Sequence, residues 1–243
     1  MLNTSGVLAV LDRGVTINWD DGPTLHRVTA QVRYHTASVA TTQLIRFHAT
    51  TRASEYPLAF VQEDRLKVTW TWLEGYDGSS EAVQWITQLS VTNTTEEVVY
   101  LDSMDVIRID NAFSGQCNLG APPGLWQCAL EKNTEHIEWE TWSQSTASAG
   151  GFKRNGVLLV QPVVSNRTHP PVLLIRHVPS LGSASAELPV EIKLEINGER
   201  FERLVAHNRA NGTLLGPGVT MVSSQFLIAS GDDATELLHL TLD

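Results

Sequence analysis

The residues best placed to do chemistry lie in one run, Glu135-His136-Ile137-Glu138-Trp139-Glu140-Thr141-Trp142. On an extended chain His136, Glu138, Glu140 and Trp142 share a face, because successive side chains alternate. Carboxylates two positions apart on a strand stand about 6.5–7 Å from each other. That overlaps the separation at which one carboxylic acid protonates a glycosidic oxygen while a second carboxylate activates water. The same spelling also describes a solvated strand face of alternating charge, and we read it so. Tryptophan is the other group of interest, at positions 19, 70, 72, 85, 126, 139 and 142. Indole stacks on the apolar faces of sugar rings and donates one N–H. Trp70, Trp85 and Trp139 sit in alternating patterns and read as core. Trp126 lies among Gly120, Pro122, Pro123 and Gly124, and Trp142 precedes Ser143-Gln144-Ser145. Trp126, Trp142, Glu140 and Gln144 are therefore the sugar-contact candidates.

Other chemistries are poorly represented. There is no Gly-x-Ser-x-Gly elbow and no His-x-x-x-His pair. Isolated His35 and His48 read as structural groups. The glycines at 212, 216 and 218 lack the following helix and lysine of a phosphate loop and read as a turn. Cys117 and Cys128, eleven positions apart, could close a short loop, but reduced thiols are expected. Neither has a second Cys or His at ligand spacing, so no metal and no cofactor are expected. With 17 basic against 27 acidic residues the chain carries net −10. Without a basic stripe it is a poor partner for nucleic acid or an anionic membrane. No apolar run reaches the ~18 residues of a membrane-spanning helix. The first residues carry no basic group ahead of the short apolar stretch 7–11. A cytoplasmic location is expected, unless a leader lies upstream.

The elements that must position these residues are strands. Residues 15–20 place Val15, Ile17 and Trp19 on one face and stop at Asp20-Asp21-Gly22-Pro23. Residues 25–36, 43–50 and 65–73 alternate in the same way. Residues 83–110 read as a hairpin turning at Thr92-Asn93-Thr94-Thr95-Glu96. Later strands are expected at 135–142, 156–164, 171–177, 190–196, 199–207 and 219–228. The Asn197-Gly198 step between two of these is the strongest short hairpin signal. Residues 112–133 read as a long irregular loop. Helical spacing appears only at 232–240, with Asp232 or Asp233 as the cap. Ten or more strands in one rhythm predict an all-β fold: a large two-sheet antiparallel sandwich with a short C-terminal helix. At 243 residues this can be a single domain.

Three segments together resemble a known family. Leu89-Ser90-Val91-Thr92-Asn93-Thr94 followed by residues 98–109 is similar to the "VTNT…LDxLDVLRI" stretch in the N-terminal domain of family 36 glycoside hydrolases, the α-galactosidase (melibiase) group. Trp139-Glu140-Thr141-Trp142-Ser143 resembles that group's "GWQSWS", matching at Trp139, Trp142 and Ser143. The preceding Gly and the central Gln-Ser are replaced by Glu138, Glu140 and Thr141. Asn211-Gly212-Thr213-Leu214-Leu215-Gly216-Pro217-Gly218, Ser223-Ser224-Gln225-Phe226-Leu227-Ile228, Gly231-Asp232-Asp233 and Leu237-Leu238 follow the order of "DGxxLxPGExxxSExLxLxxGDDPxxLL". The resemblance implies a β-supersandwich of the galactose-mutarotase-like kind over residues 1–231. Residues 232–243 would begin a linker to a (β/α)₈ barrel that carries the two catalytic Asp residues. No catalytic residue is carried over, and no catalysis by this chain alone is expected. The implied partners are that barrel and a galactoside, with a homo-oligomer a further expectation. A stand-alone carbohydrate-binding module is the alternative. Third comes an aldose-epimerase-like enzyme, for which His136 with Glu138 or Glu140 is the one local pairing on offer.

Overall fold

A computed structural model describes residues 6–11, 14–20, 22–39, 42–46, 52–54, 58–63, 65–76, 83–111, 116–133, 136–141, 152–154, 156–163, 170–179, 188–197 and 200–240. The chain begins with β1 (Gly6–Leu11), β2 (Gly14–Trp19), β3 (Thr24–Thr36), β4 (Gln43–Arg46) and β5 (Arg52–Ser54). It continues through β6 (Leu58–Glu63), β7 (Leu66–Tyr76), β8 (Val83–Asn93), β9 (Val99–Asp110) and β10 (Gln116–Asn118). After a 3-10 turn at Pro123–Leu125 come β11 (Trp126–Asn133), β12 (His136–Thr141), β13 (Phe152–Arg154), β14 (Val157–Pro162) and β15 (Val172–Val178). The last elements are β16 (Val190–Asn197), β17 (Arg200–Leu215), β18 (Thr220–Val222), β19 (Gln225–Gly231) and the helix α1 (Ala234–Leu238).

These strands form two antiparallel sheets, as the period-two patterns predict. A nine-stranded sheet runs β1-β2-β3-β9-β17-β16-β13, with β4 and β10 also on β3. A ten-stranded sheet runs β12-β11-β14-β15-β19-β8-β7-β6-β5, with β18 on β8. Between them lies a layer of alternating side chains, among them Phe60, Trp70, Trp72, Leu89, Met104 and Phe226, all fully buried. Phe60 and Trp72 flank Trp70 at ring-centroid distances of 5.5 and 5.2 Å. Burying one such aromatic side chain stabilises the fold by roughly 1.5–3 kcal/mol.

A smaller apolar layer covers the opposite face of the ten-stranded sheet. There Leu237 and Leu240 pack on Ala129, Leu159, Val172, Leu174, Leu227 and Ala229. Asp233 caps the helix, accepting from the backbone N–H of Thr235 and Glu236. Arg176 of β15 reaches the other end, where Nη1 donates to Leu238 O at 3.0 Å and Nη2 to Leu240 O. The expected helix and cap are both present, and the segment is a docked part of the sandwich. Among the described residues no helix is long and apolar enough to cross a membrane.

Four expectations need correction. First, β8 and β9 do not pair as a hairpin; they belong to opposite sheets. Residues 94–98 form a corner that crosses the sandwich, and Asn93 builds it. Its Nδ2 donates to Glu97 O at 2.8 Å and to Leu215 O at 2.9 Å, while its Oδ1 accepts from Thr95 N at 3.0 Å and Thr95 Oγ1 at 2.8 Å. Second, the stretch 112–133 contains β10 and the eight-residue β11. Third, 219–228 is two strands broken at Ser223-Ser224, where Ser223 Oγ takes the Leu89 N–H at 2.9 Å that strand pairing would have used. Fourth, β17 runs on to Leu215, past a bulge at Asn211-Gly212 where both residues adopt positive φ. The Asn-Gly hairpin is present, with Asn197 opposite Arg200. Beyond the expected strands lie β1, β5, β6 and β13. Gly14 at the β1–β2 turn has φ +151, and a Cβ there would lie 2.5 Å from Val28 O, so only glycine fits.

Candidate functional site

Residues 136–141 of the acidic run form β12, which among the described residues is the edge strand of the ten-stranded sheet, paired with β11. Trp139 stands opposite Ala129 and packs, half-buried, on the layer under α1. Glu140 stands opposite Cys128, so it and Glu138 share the other face by alternation. Glu138 is exposed and Glu140 half-buried. Both lie on the strand the sequence predicts, two positions apart. Trp142 and Gln144 lie outside the described residues.

Trp126 is placed otherwise than expected. It is 1% exposed, packs against Phe201 at 6.3 Å, and its Nε1 donates to Ala121 O at 2.9 Å. With its ring in the core and its N–H bonded to backbone, Trp126 offers no stacking face to a sugar. The Gly/Pro residues before it drew attention away from the alternation of Trp126 and Cys128, which both point inward. Leu125 and Val163 lie at the surface beside it, joined by a Val163 N to Leu125 O hydrogen bond of 2.7 Å.

The most concentrated set of ionisable groups was not singled out in the sequence. It crosses the outer face of the nine-stranded sheet on β9, β17 and β16. Arg108 grips Asp110 with Nε and Nη2 at 2.5 and 3.1 Å, and Asp105 with Nη1 at 2.7 Å. His207 lies between two carboxylates, its Nδ1 3.3 Å from Asp105 Oδ1 and its Nε2 3.1 Å from Glu191 Oε2. Arg209 Nε donates to the same Glu191 oxygen at 2.8 Å, and Lys193 Nζ approaches it to 3.4 Å. Arg203 closes the row on Glu195 at 2.7 Å. Burial alone would raise the carboxyl of Asp105. The hydrogen bond from His207 and the charge and hydrogen bond of Arg108 outweigh it and hold the group below its ordinary 3.8. The Arg108 guanidinium loses from burial but gains more from Asp110 and Asp105, so it is held more firmly protonated.

This layer looks like acid–base equipment, but its geometry points to cohesion. Asp105 and Glu191 are each 2% exposed and the cations fold over them. A general base needs to reach the proton of a substrate; here the carboxylates reach their neighbours on the sheet. Their strand pairings explain why: His207 is the cross-strand partner of both Asp105 and Glu191. The signal that could have revealed the layer is the Asp105, Arg108 and Asp110 spacing among the apolar Met104, Val106, Ile107 and Ile109 of β9. His35 is similar in kind, with Nδ1 3.1 Å from Asp102 Oδ1 and its ring stacked on Tyr100 at 5.1 Å. Among the described residues no three His, Cys, Asp or Glu side chains could hold a metal ion. Cys117 and Cys128 are buried thiols with no disulfide between them, as expected.

The segments that carry the family resemblance converge on structural joints. Backbone N–H and C=O of Asn93 pair with Val219 O at 3.0 Å and Gly218 N at 2.8 Å. The "VTNT" and "PG" stretches therefore meet at one corner. Asn208 binds Ser224 through Oδ1 and Nδ2, which fixes the serine break to β17. Asp105 and Arg108 form the buried pair, and Asp233 caps α1.

No protein-family model matches the chain, and no curated protein sequence does. Solved structures do show the fold. A family 36 α-galactosidase from Geobacillus stearothermophilus, in complex with 1-deoxygalactonojirimycin, superposes with TM-score 0.51 at 11% identity over 83% of this chain. The galactosidase domain of an α-galactosidase–sucrose kinase gives 0.50 at 11% identity over 84%. In both cases this chain spans 30% of the matched chain's length.

Proposed function

We propose that this chain is a non-catalytic β-sandwich module of an α-galactosidase-like glycoside hydrolase, seated against a catalytic barrel whose sugar site it helps to shape. The observation that carries this reading is where the resemblance residues fall. Asn93, Asp105, Arg108, Gly218, Ser223 and Asp233 each make a corner, a buried ion pair, a strand break or a cap. These side chains are spent on holding the frame together, which suits a supporting module; an active site needs an acid and a base that reach a substrate. The fold likeness to α-galactosidase chains over part of their length supports the same reading. Residues 232–240 are then the approach to the barrel, pinned to the sandwich before the chain leaves it. Trp142 and Gln144, with Glu140 on the β12 edge, are the residues we assign to the rim facing the sugar.

The test is catalysis. Incubated alone with a chromogenic α-galactoside, the chain is expected to release no product. Joined to, or mixed with, a family 36 barrel lacking its own sandwich, it is expected to raise that barrel's stability and turnover. Turnover by the chain alone would overturn the reading.

A further inference from the structure

We propose that the inner face of the ten-stranded sheet holds a neutral hydroxyl oxygen at the corner made by Trp72, Thr87 and Trp85. The inference goes beyond the domain reading above and does not depend on it. Trp72 and Thr87 are direct cross-strand partners on β7 and β8, and Trp85 pairs with Glu74 two positions further along. By alternation all four point toward the opposite sheet. Trp72 and Thr87 are 1% exposed and Trp85 is 8% exposed. Trp72 Nε1, Trp85 Nε1 and Thr87 Oγ1 have no protein hydrogen-bond partner. Direct cross-strand Cβ atoms stand about 4.5–5.5 Å apart and diagonal ones about 7–8 Å, so two large indoles and one hydroxyl can converge on one point.

Buried polar groups in native proteins are nearly always satisfied, and leaving one bare costs about 1–3 kcal/mol. Three bare groups on one face are a built donor set. The edge-to-face contact of Trp70 with Trp72, 5.2 Å at 70°, could direct one indole N–H at a ring. It leaves Trp85 and Thr87 unsatisfied. The chemistry of the guest follows by elimination. Indole N–H only donates, so the guest must accept, which excludes a cation or a hydrocarbon. Glu74 beside Trp85 disfavours an anion. Thr87 Oγ1 can accept as well as donate, so a guest oxygen that both accepts and donates suits the set better than a carbonyl or ether: a neutral hydroxyl, from ordered water or from a small polyol such as a sugar. Gln84, fully buried with a bare amide, lies on the other face of β8 and is no part of the corner.

Indole N–H signals of the 15N-labelled full chain separate the sources, with Trp72→Phe and Trp85→Phe assigning the two peaks. Galactose and glycerol are the polyol probes. Saturable shifts of the Trp72 and Trp85 signals, lost in Thr87→Val, identify a polyol. No shift, but cross-peaks from both N–H groups to a long-lived water, lost in Thr87→Val, identify water. Thr87→Val keeps the shape, so the chain should fold. Absence of both saturable shifts and water cross-peaks would overturn the proposal, whatever the Tm of Thr87→Val.

Discussion

Asn93 of one sheet donates its side-chain amide to the backbone carbonyl of Leu215 in the other, at 2.9 Å, and the residue is fully buried. This is a joint across the sandwich made by a residue that ends β8. Three further partners, at Glu97, Thr95 N and Thr95 Oγ1, complete its side chain. Asn93→Ala leaves Leu215 O and the Thr95 N–H without their partner and removes one of the two donors to Glu97 O. Each lost neutral hydrogen bond is worth about 1 kcal/mol, so the loss should reach roughly 2–4 kcal/mol. Asn93→Asp should be as damaging, because a carboxylate oxygen would then face Glu97 O and Leu215 O. Thr95→Ala, which removes one of the bonds, should cost about 1 kcal/mol. Urea denaturation midpoints of the three variants check the order. Equal midpoints for Asn93→Ala and wild type would mean the corner carries no load.

The same corner shows where a reading of the sequence stops. Alternation in residues 83–93 and β-branched enrichment in 98–109 identify both strands. They cannot say whether neighbouring strands pair or cross, because inward residues are apolar in either case. The side chain that decides, Asn93, looks like any turn residue. Trp126 failed for a related reason: local Gly and Pro signal a loop, yet the tertiary partner Phe201 and the carbonyl of Ala121 are 75 positions downstream and five upstream. The ionic layer was hidden because Asp105 comes from a segment far from the hairpin that carries Glu191 and His207, and each is unremarkable alone. By contrast, Asp233 and the Asn197-Gly198 step were legible, since their structure depends on residues within a few positions.

Asp105 makes stability depend on pH in a definite direction. Its folded carboxyl titrates below the ordinary 3.8, while in the unfolded chain it returns to about 3.9. The unfolded state therefore takes up a proton first on acidification. The stabilisation from Asp105 is complete above about pH 4 and is lost as pH falls through that value toward the depressed folded one. Asp105→Asn leaves Arg108 and His207 beside a neutral amide and should cost about 3–5 kcal/mol at pH 7, the range for breaking a buried pair. It should also flatten the fall in stability below pH 4. Unfolding free energies measured from pH 2.5 to 7 test both parts. An unaltered acid slope in the variant would assign the acid sensitivity to other carboxylates.

Burial governs the cysteines. The thiol of Cys117 is pushed up to about 12 by desolvation, and Cys128 is 0% exposed. The thiolate is the reactive form, so at pH 8 Cys117 holds almost none. Native protein should react with neither iodoacetamide nor a disulfide reagent over hours, and both thiols should titrate in guanidinium. Reducing agent should leave Tm unchanged. Rapid modification of one thiol in the native state would show that the sandwich opens locally at β10 or β11.

The docking of α1 can be taken apart one contact at a time. A helix of five residues is far too short to be stable alone, so its conformation must come from the sheet beneath it. Leu237 is fully buried on that sheet, and Leu237→Ala should cost about 2–5 kcal/mol. Arg176→Met keeps the stem and removes the bonds to Leu238 O and Leu240 O; hydrogen bonds from a charged group are worth about 1.5–3 kcal/mol. Asp233→Ala removes only an exposed cap, worth about 1 kcal/mol. The expected order of loss is therefore Leu237, then Arg176, then Asp233. Because the contacts are local, the larger effects should appear first as faster proteolytic cleavage around 232–240, with the two-sheet core still folded. If Asp233→Ala released the segment while Leu237→Ala did not, the cap and not the sheet would be holding it, and the chain's path away from the sandwich would be free to swing.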